Sequence, residues 1–299
     1  MSTNIRIAIA ELSIGLHSEH KILLEDGYLP FVIETNKVET DITINCFANI
    51  PTTTFTNKEL VFEAKNESQR FYSIYRSDSN LVFVIYSQQN KDEIQQLAIL
   101  DKTLSNWKIY STPLDNGEIV PVKYPLGPII MHYLTVKFDA VMIHASCVLN
   151  NQKGKIFTGF SGAGKSTMSK IWADAGNMII NDDRLIIRKQ NNRHYVYNTP
   201  MYYKDAPKKA PLDSIFLIRH SPQNKIKKIS GALAVSKVLA FCIQNNFEPD
   251  FIQTKLNFLT ELSAQIPVYE LGFVPDKSVI NFIQENETAG TNSTAFDCC

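Results

Sequence analysis

Apolar and polar positions alternate with a period of two through IRIAIAEL near the start of the chain, and again through FYSIYRSDSNLVFVIYS. Residues patterned this way offer one face to a core and the other to water, so they predict strands, with Ser77 to Asn80 as a hairpin loop. Residues 1–115 therefore read as a strand-rich N-terminal domain, and no catalytic pattern is recognisable in them. The period changes at YPLGPIIMHYLTVKF, where Ile130, Leu134 and Phe138 recur at helical spacing, Met131 lies beside them and Pro128 suits a first turn. A helix here is expected to open a second domain, residues 116–287. Within it DAVMIHASCVL and KIFTG read as strands joined through NNQKG, and a helix over 165–175 is ended by Gly176. NMIIN reads as a short buried strand, LIIRK and HYVYN as another hairpin, and SIFLIRH as a central strand. Ser230 is placed to cap a helix through ALAVSKVLAFCI, and Pro249-Asp250 to open one through FIQTKLNFLTEL. A last strand, IPVYELGF, a last helix, PDKSVINFIQ, and a polar tail over 288–299 complete the chain.

Charge narrows the choice of partner. The 30 basic and 30 acidic residues cancel, which argues against nucleic acid or an anionic membrane and requires any anion to be bound locally. No segment approaches the roughly 18 apolar residues of a membrane span, and the start lacks a charged leader with an apolar run, so a cytoplasmic protein is expected. The 5 cysteines, Cys46, Cys147, Cys242, Cys298 and Cys299, show no metal or redox spacing and read as packing residues, with the terminal pair left unassigned.

The chemistry concentrates in GFSGAGKSTMSKIWADAGNMIINDDR, residues 159–184. Gly159, Gly164, Lys165 and Ser166 fit the phosphate-loop spacing G-x-x-x-x-G-K-[ST]. Glycines, Gly162 among them, let such a loop curl until successive N–H groups point at phosphate oxygens, and the helix behind it adds its positive end. Lys165 would reach the outer phosphates and Ser166 would ligate Mg²⁺; Ser161, Ala163 and Thr167 complete the expected ATP or GTP contacts. The two aspartates that follow are compatible with an ordinary turn. They also leave a strand that, in a parallel arrangement beside the loop's own strand, would open onto the same crevice. One carboxylate there can hold Mg²⁺ and the other can take a proton from an attacking hydroxyl. His144, in VMIHAS, suits either a satisfied core histidine or a group that contacts phosphate and adjusts the aspartates. His132 and His194 read as structural or surface residues.

The stretch IHASCVLNNQKGKIFTGFSGAGKSTMSKIWADAGNMIINDDR resembles the catalytic core of the HPr kinase/phosphorylase family and of HPr-kinase-like serine kinases. The resemblance runs through NTPMYYKDAPKKAPLDSIFLIRH and IPVYELGFVPDKSVINFI, over roughly residues 125–285. It implies an α/β fold, a mixed-sheet nucleotide-binding core related to phosphoenolpyruvate carboxykinases, behind the strand-rich N-terminal domain. It further implies ATP and Mg²⁺ as ligands and transfer of the γ phosphoryl group to a serine of a protein or peptide, and it is compatible with a homo-oligomer. On the matching positions, Asp183 becomes the proton acceptor, Asp182 supports it or the metal, His144 assists, and Lys165 and Ser166 hold phosphate and Mg²⁺. The family's glycine-rich segment with a metal-binding glutamate is absent, and Asp205 is the nearest acid in a comparable region. The arginine of the reverse reaction has no clear counterpart, Arg219 being the one candidate, so the resemblance leaves phosphorolysis open, and it leaves the acceptor open between HPr and other serines, those of ribosomally made precursor peptides among them. A nucleotide-binding regulator and an ATPase that uses water as acceptor stay open as other readings.

Overall fold

The computed structural model describes residues 3–34, 39–52, 58–67, 69–90, 93–243 and 247–293, with side chains as far as 287. Cys298, Cys299 and the end of the polar tail lie outside the described residues. The chain divides into two compact units, Met1–Lys137 with Pro200–Pro207, and Phe138–Thr199 with Lys208–Cys299. Both are built on large sheets, and the whole is a mixed α/β protein. Among the described residues no helix is long and apolar enough to cross a membrane.

The first unit holds β1 (Thr3–Ile9), β2 (Leu12–Ser18), β3 (Ile42–Ala48), β4 (Glu59–Asn66), β5 (Gln69–Ser77), β6 (Asn80–Tyr86), β7 (Ile94–Leu100) and β8 (Asn106–Ser111). They form one eight-stranded sheet in the order β1-β2-β3-β8-β7-β6-β5-β4. The alternating stretch gives the hairpin expected of it, Ser77 facing Asn80 across the turn. Helix α1 (Leu126–Lys137) falls in this unit. Its Tyr133 meets Phe83 and Trp107 edge to face, at centroid distances of 5.3 and 5.9 Å. Because α1 is apolar nearly all round, its periodicity could announce a buried helix but not the core it would join. The segment 200–207 closes against the same unit: a Cβ on Gly27 would lie 1.5 Å from the Met201 carbonyl oxygen.

The second unit contains β9 (Ala140–Asn150), β10 (Lys153–Thr158), α2 (Lys165–Ala173), β11 (Met178–Asn181), β12 (Arg184–Gln190), β13 (Arg193–Asn198) and β14 (Lys209–His220). It continues with β15 (Lys225–Ile229), α3 (Gly231–Leu239), α4 (Pro249–Gln265), β16 (Val268–Phe273) and α5 (Ser278–Ser293). The pairings β9–β10, β10–β14, β14–β13, β13–β12 and β12–β9 close on themselves, with β16 and β15 extending from β14. Side chains from the ring strands, including Ile143, Ile156, Ile187, Val196 and Ala210, share one core cluster with Val235 of α3 and Leu259 of α4. A second cluster joins Phe157 and Phe216 to Trp172 of α2 and Ile283 of α5. Cys46, Cys147 and Cys242 are free and buried, in keeping with packing roles.

Three local expectations change. Strand β11 does not lie parallel beside β10; it runs antiparallel to β9, because β10 has β9 on one edge and β14 on the other. Helix α3 stops at Leu239 and no side-chain bond from Ser230 caps it. The apolar run beyond is used for pairing instead: Cys242 bridges Ile143, and Ile243 N–H donates to the Met142 carbonyl at 2.7 Å. Helix α5 extends to Ser293, so the polar composition expected to mark a tail begins inside a helix.

Helix α4 buries a lysine. Lys255 is 2 % exposed, its ammonium donates to the Ile243 carbonyl at 2.8 Å, and burial pushes its pKa from 10.5 down to about 8. An unfolded chain keeps this proton up to the ordinary lysine pKa, whereas the folded protein releases it near 8, so Lys255 penalises folding below pH 8 and ceases to do so as pH rises toward 10.5. Lys255→Met is expected to gain stability relative to the wild type at pH 7 and to lose that advantage by pH 10. Urea unfolding of both proteins at the two pH values checks this; a constant difference would contradict it.

Candidate functional site

Strand β10 ends at Thr158 and the chain enters the loop Gly159–Gly164, from which α2 departs at Lys165. Gly162 and Gly164 have φ of +78° and +99°, conformations that a residue with a Cβ adopts only at a cost. A Cβ at Gly162 would meet nothing within 4 Å, whereas one at Gly164 would lie 2.7 Å from the Phe273 ring and 3.0 Å from the His220 ring. The loop is thus pressed against the sheet at its end and open at its crown. Ala163 N–H donates to the Phe160 carbonyl at 3.0 Å. The Lys165 ammonium donates to the carbonyls of Gly159 and Phe160, at 3.0 and 3.3 Å. Burial lowers its pKa, and the charge of Asp183 works in the opposite direction. Ser161, Ser166 and Thr167 are exposed, their hydroxyls flanking the positive end of α2.

The acid side of the site is assembled by β9. Thr158 at the end of β10 faces Ala145, and Arg184 at the start of β12 faces His144, so the loop and the aspartates meet across one strand. The main chain fixes this junction: Ala145 N–H donates to the Asp183 carbonyl at 3.0 Å, His144 N–H to the Phe241 carbonyl at 2.9 Å, and the Thr158 hydroxyl to the His144 carbonyl at 2.8 Å. Nδ1 of His144 lies 3.3 Å from one oxygen of Asp183, and a guanidinium nitrogen of Arg184 lies 3.1 Å from the other. The hydrogen bond to His144 holds the Asp183 carboxyl below the usual carboxylate range; burial opposes this, and the charges of Arg184, His144 and Lys165 reinforce it. Asn181 is buried, and its side-chain oxygen accepts the N–H groups of Asp182 and Asp183 at 2.7 and 3.1 Å. The turn and the site therefore coexist, the turn using backbone N–H groups and leaving both carboxylates available.

His144, Lys165 and Asp183 are brought together around the end of β10, while Asp182 is exposed beside them. Asp205 lies on the segment 200–207 that packs with the first unit. His132 and His194 are buried, each 3 % exposed, as structural residues would be. Arg219 lies near Glu270, and its register partner on β16 is Gly272. Among the described residues no group of three or more His, Cys, Asp or Glu side chains is placed to hold a metal ion. The oxygen donors present, the Ser166 hydroxyl and the carboxylates of Asp182 and Asp183, fit Mg²⁺, which uses few protein ligands and keeps waters and phosphate oxygens. Arg184, Asn181, Phe241 and His220 were not singled out in the sequence. For His220 a signal existed: it ends a strand expected to be central, and strand ends beside a phosphate loop face the same crevice.

No protein-family model matches the chain, and no curated protein matches it. Among solved structures the chain is similar to the Hpr(Ser) kinase/phosphatase from Coxiella burnetii, with 11 % sequence identity over 50 % of this chain and 98 % of that one. The TM-score is 0.31, and the functional reading rests on the residues of the site alone.

Proposed function

We propose that the second unit binds ATP and Mg²⁺ at the loop Gly159–Gly164 and transfers the γ phosphoryl group to a serine hydroxyl of a protein or peptide. The observation that carries this reading is the Asp183 carboxylate, oriented by His144 and Arg184 and within electrostatic reach of the loop lysine. A site that only binds nucleotide has no need of an ionised carboxylate fixed in this way. Backbone N–H groups of the loop and the start of α2 hold the phosphates, and Lys165 swings from the loop carbonyls to the outer phosphate oxygens. Mg²⁺, held through Ser166 and Asp182, would neutralise charge on the phosphate chain. As the new bond forms between the serine oxygen and the γ phosphorus, the bond to the ADP oxygen breaks and Asp183 takes the hydroxyl proton. His144 and Arg184 keep the carboxylate ionised and aimed until then. The first unit is proposed as the reader of the acceptor, its edge strand β4 exposing Leu60 and Phe62 to an added strand.

One observation favours the regulator reading: Arg184 already occupies the second oxygen of Asp183, as it would in a purely structural ion pair. Incubation with γ-labelled ATP and Mg²⁺, alone and with candidate proteins and peptides, separates the readings. Label on an acceptor serine is the expected result; free phosphate without acceptor would identify an ATPase, and bound ATP with no turnover a regulator.

A further inference from the structure

We propose that His220 contacts the phosphate chain of the nucleotide, on the flank of the loop opposite His144; this rests on the nucleotide reading above. Strands β10 and β14 are parallel neighbours, Thr158 pairing with Leu217, so their C-terminal ends open onto one crevice. Strand β14 continues to His220, which brings the imidazole up to the loop. Its Cε1–Nε2 edge lies 3.0 Å from the position a Gly164 Cβ would take. Gly164 is the residue whose left-handed turn launches α2, the point at which N–H groups are directed at an anion.

The ring is held there by packing. It lies against Phe273 at a centroid distance of 5.0 Å and a 31° tilt, and Phe273 is itself fully buried in the cluster shared with α2 and α5. Among the described residues no hydrogen bond or ion pair engages either ring nitrogen, and the residue is exposed. A donor oriented by an apolar contact, directed at the end of an anion-binding loop and left without a protein partner, is matched by a phosphate oxygen. On the other flank the Asp183 carboxylate repels the phosphate chain, which favours its lying toward β14.

Calorimetric binding of ATP and of inorganic tripolyphosphate, both with Mg²⁺, to the full chain tests this. His220→Phe keeps the packing against Phe273 and removes both nitrogens; it should weaken both ligands about tenfold, as loss of one charged hydrogen bond does. His220→Gln, which restores a donor, should recover most of that loss. Unchanged tripolyphosphate binding in His220→Phe overturns the proposal, and so does weakening confined to ATP, which would move the ring to the ribose or base. Failure of the wild type to bind either ligand overturns the nucleotide reading itself, and this one with it. Tripolyphosphate should also shift the His220 imidazole ¹⁵N resonances in the wild-type protein; a static signal in a protein that binds would refute the contact with no variant needed.

Discussion

Asp183→Asn is expected to lower phosphotransfer by roughly 10²–10⁴, the range for loss of a general base, while ATP affinity stays within a few-fold of wild type. Asparagine keeps the shape of the side chain, and its remaining oxygen can still accept from His144 or Arg184, which now hold Asp183 at 3.3 and 3.1 Å. The backbone contacts at the junction, from Ala145 N–H to the residue 183 carbonyl and from residue 183 N–H to Asn181, do not involve the altered group. What disappears is a charge and a proton acceptor. The missing negative charge removes repulsion toward the γ phosphate, so binding should hold or tighten, and the defect should fall on kcat. Single-turnover transfer and calorimetric ATP binding, measured on the same protein, decide it. Undiminished transfer would exclude Asp183 as the base; equal loss of binding and transfer would make it a structural ion pair, as the regulator reading holds.

The largest stability effect is expected at the other end of β10. Lys155 has a side chain only 3 % exposed, yet its ammonium lies 3.0 Å from an Asp213 oxygen and 2.6 Å from a Glu287 oxygen. Ser214 adds a hydroxyl donor to Glu287 at 3.1 Å. Burial raises the pKa of Asp213, but Lys153 and Lys155 outweigh it and keep that carboxyl below its ordinary range. Lys155→Met fills similar space and removes the cation that the two carboxylates share, while Lys153 stays 3.0 Å from Asp213. Breaking a buried pair in this way costs about 3–5 kcal/mol. Because the carboxylates retain 23 % and 20 % exposure, water relieves part of the cost, and the lower end, about 3 kcal/mol, is expected. Urea unfolding measures it. Adding Asp213→Asn and Glu287→Gln should return much of the loss, since the penalty comes from stranded charge more than from the missing ammonium; if the triple variant is no more stable than Lys155→Met, that account is wrong.

What could be read in advance was local. The glycine spacing from Gly159 to Gly164, the helix after it and the β12–β13 hairpin are carried by adjacent residues whose backbone preferences and period-two burial need no distant partner. The pairing of β11 was misread because a four-residue apolar strand carries no information about which edge remains open; β14, 12 residues long and more than 50 residues from β10 in sequence, had taken it. Phe241 to Ile243 was apolar enough to extend α3, yet those residues bond to Met142 and His144, a contact across about 100 residues that no window of sequence contains. Nothing in the sequence marked Lys155 or Lys255, since burial of a lysine depends on partners supplied from α5 and from the turn after α3. Arg184 was passed over between the aspartates and the strand LIIRK: its role needs the register that sets it opposite His144.

The excursion of 200–207 bears on how this protein can be taken apart. The chain passes between the two units three times, after Lys137, after Thr199 and after Pro207, so a single cut liberates neither. A fragment ending at Lys137 would lack Met201, whose carbonyl lies where only a glycine at position 27 permits it, and would leave that surface bare. A fragment starting at Phe138 would carry Pro200–Pro207 with nothing to receive it. Limited digestion, library truncation and tag insertion should therefore be planned around these crossings, with residues 200–207 replaced by a tight linker wherever the nucleotide-loop unit is to be produced alone.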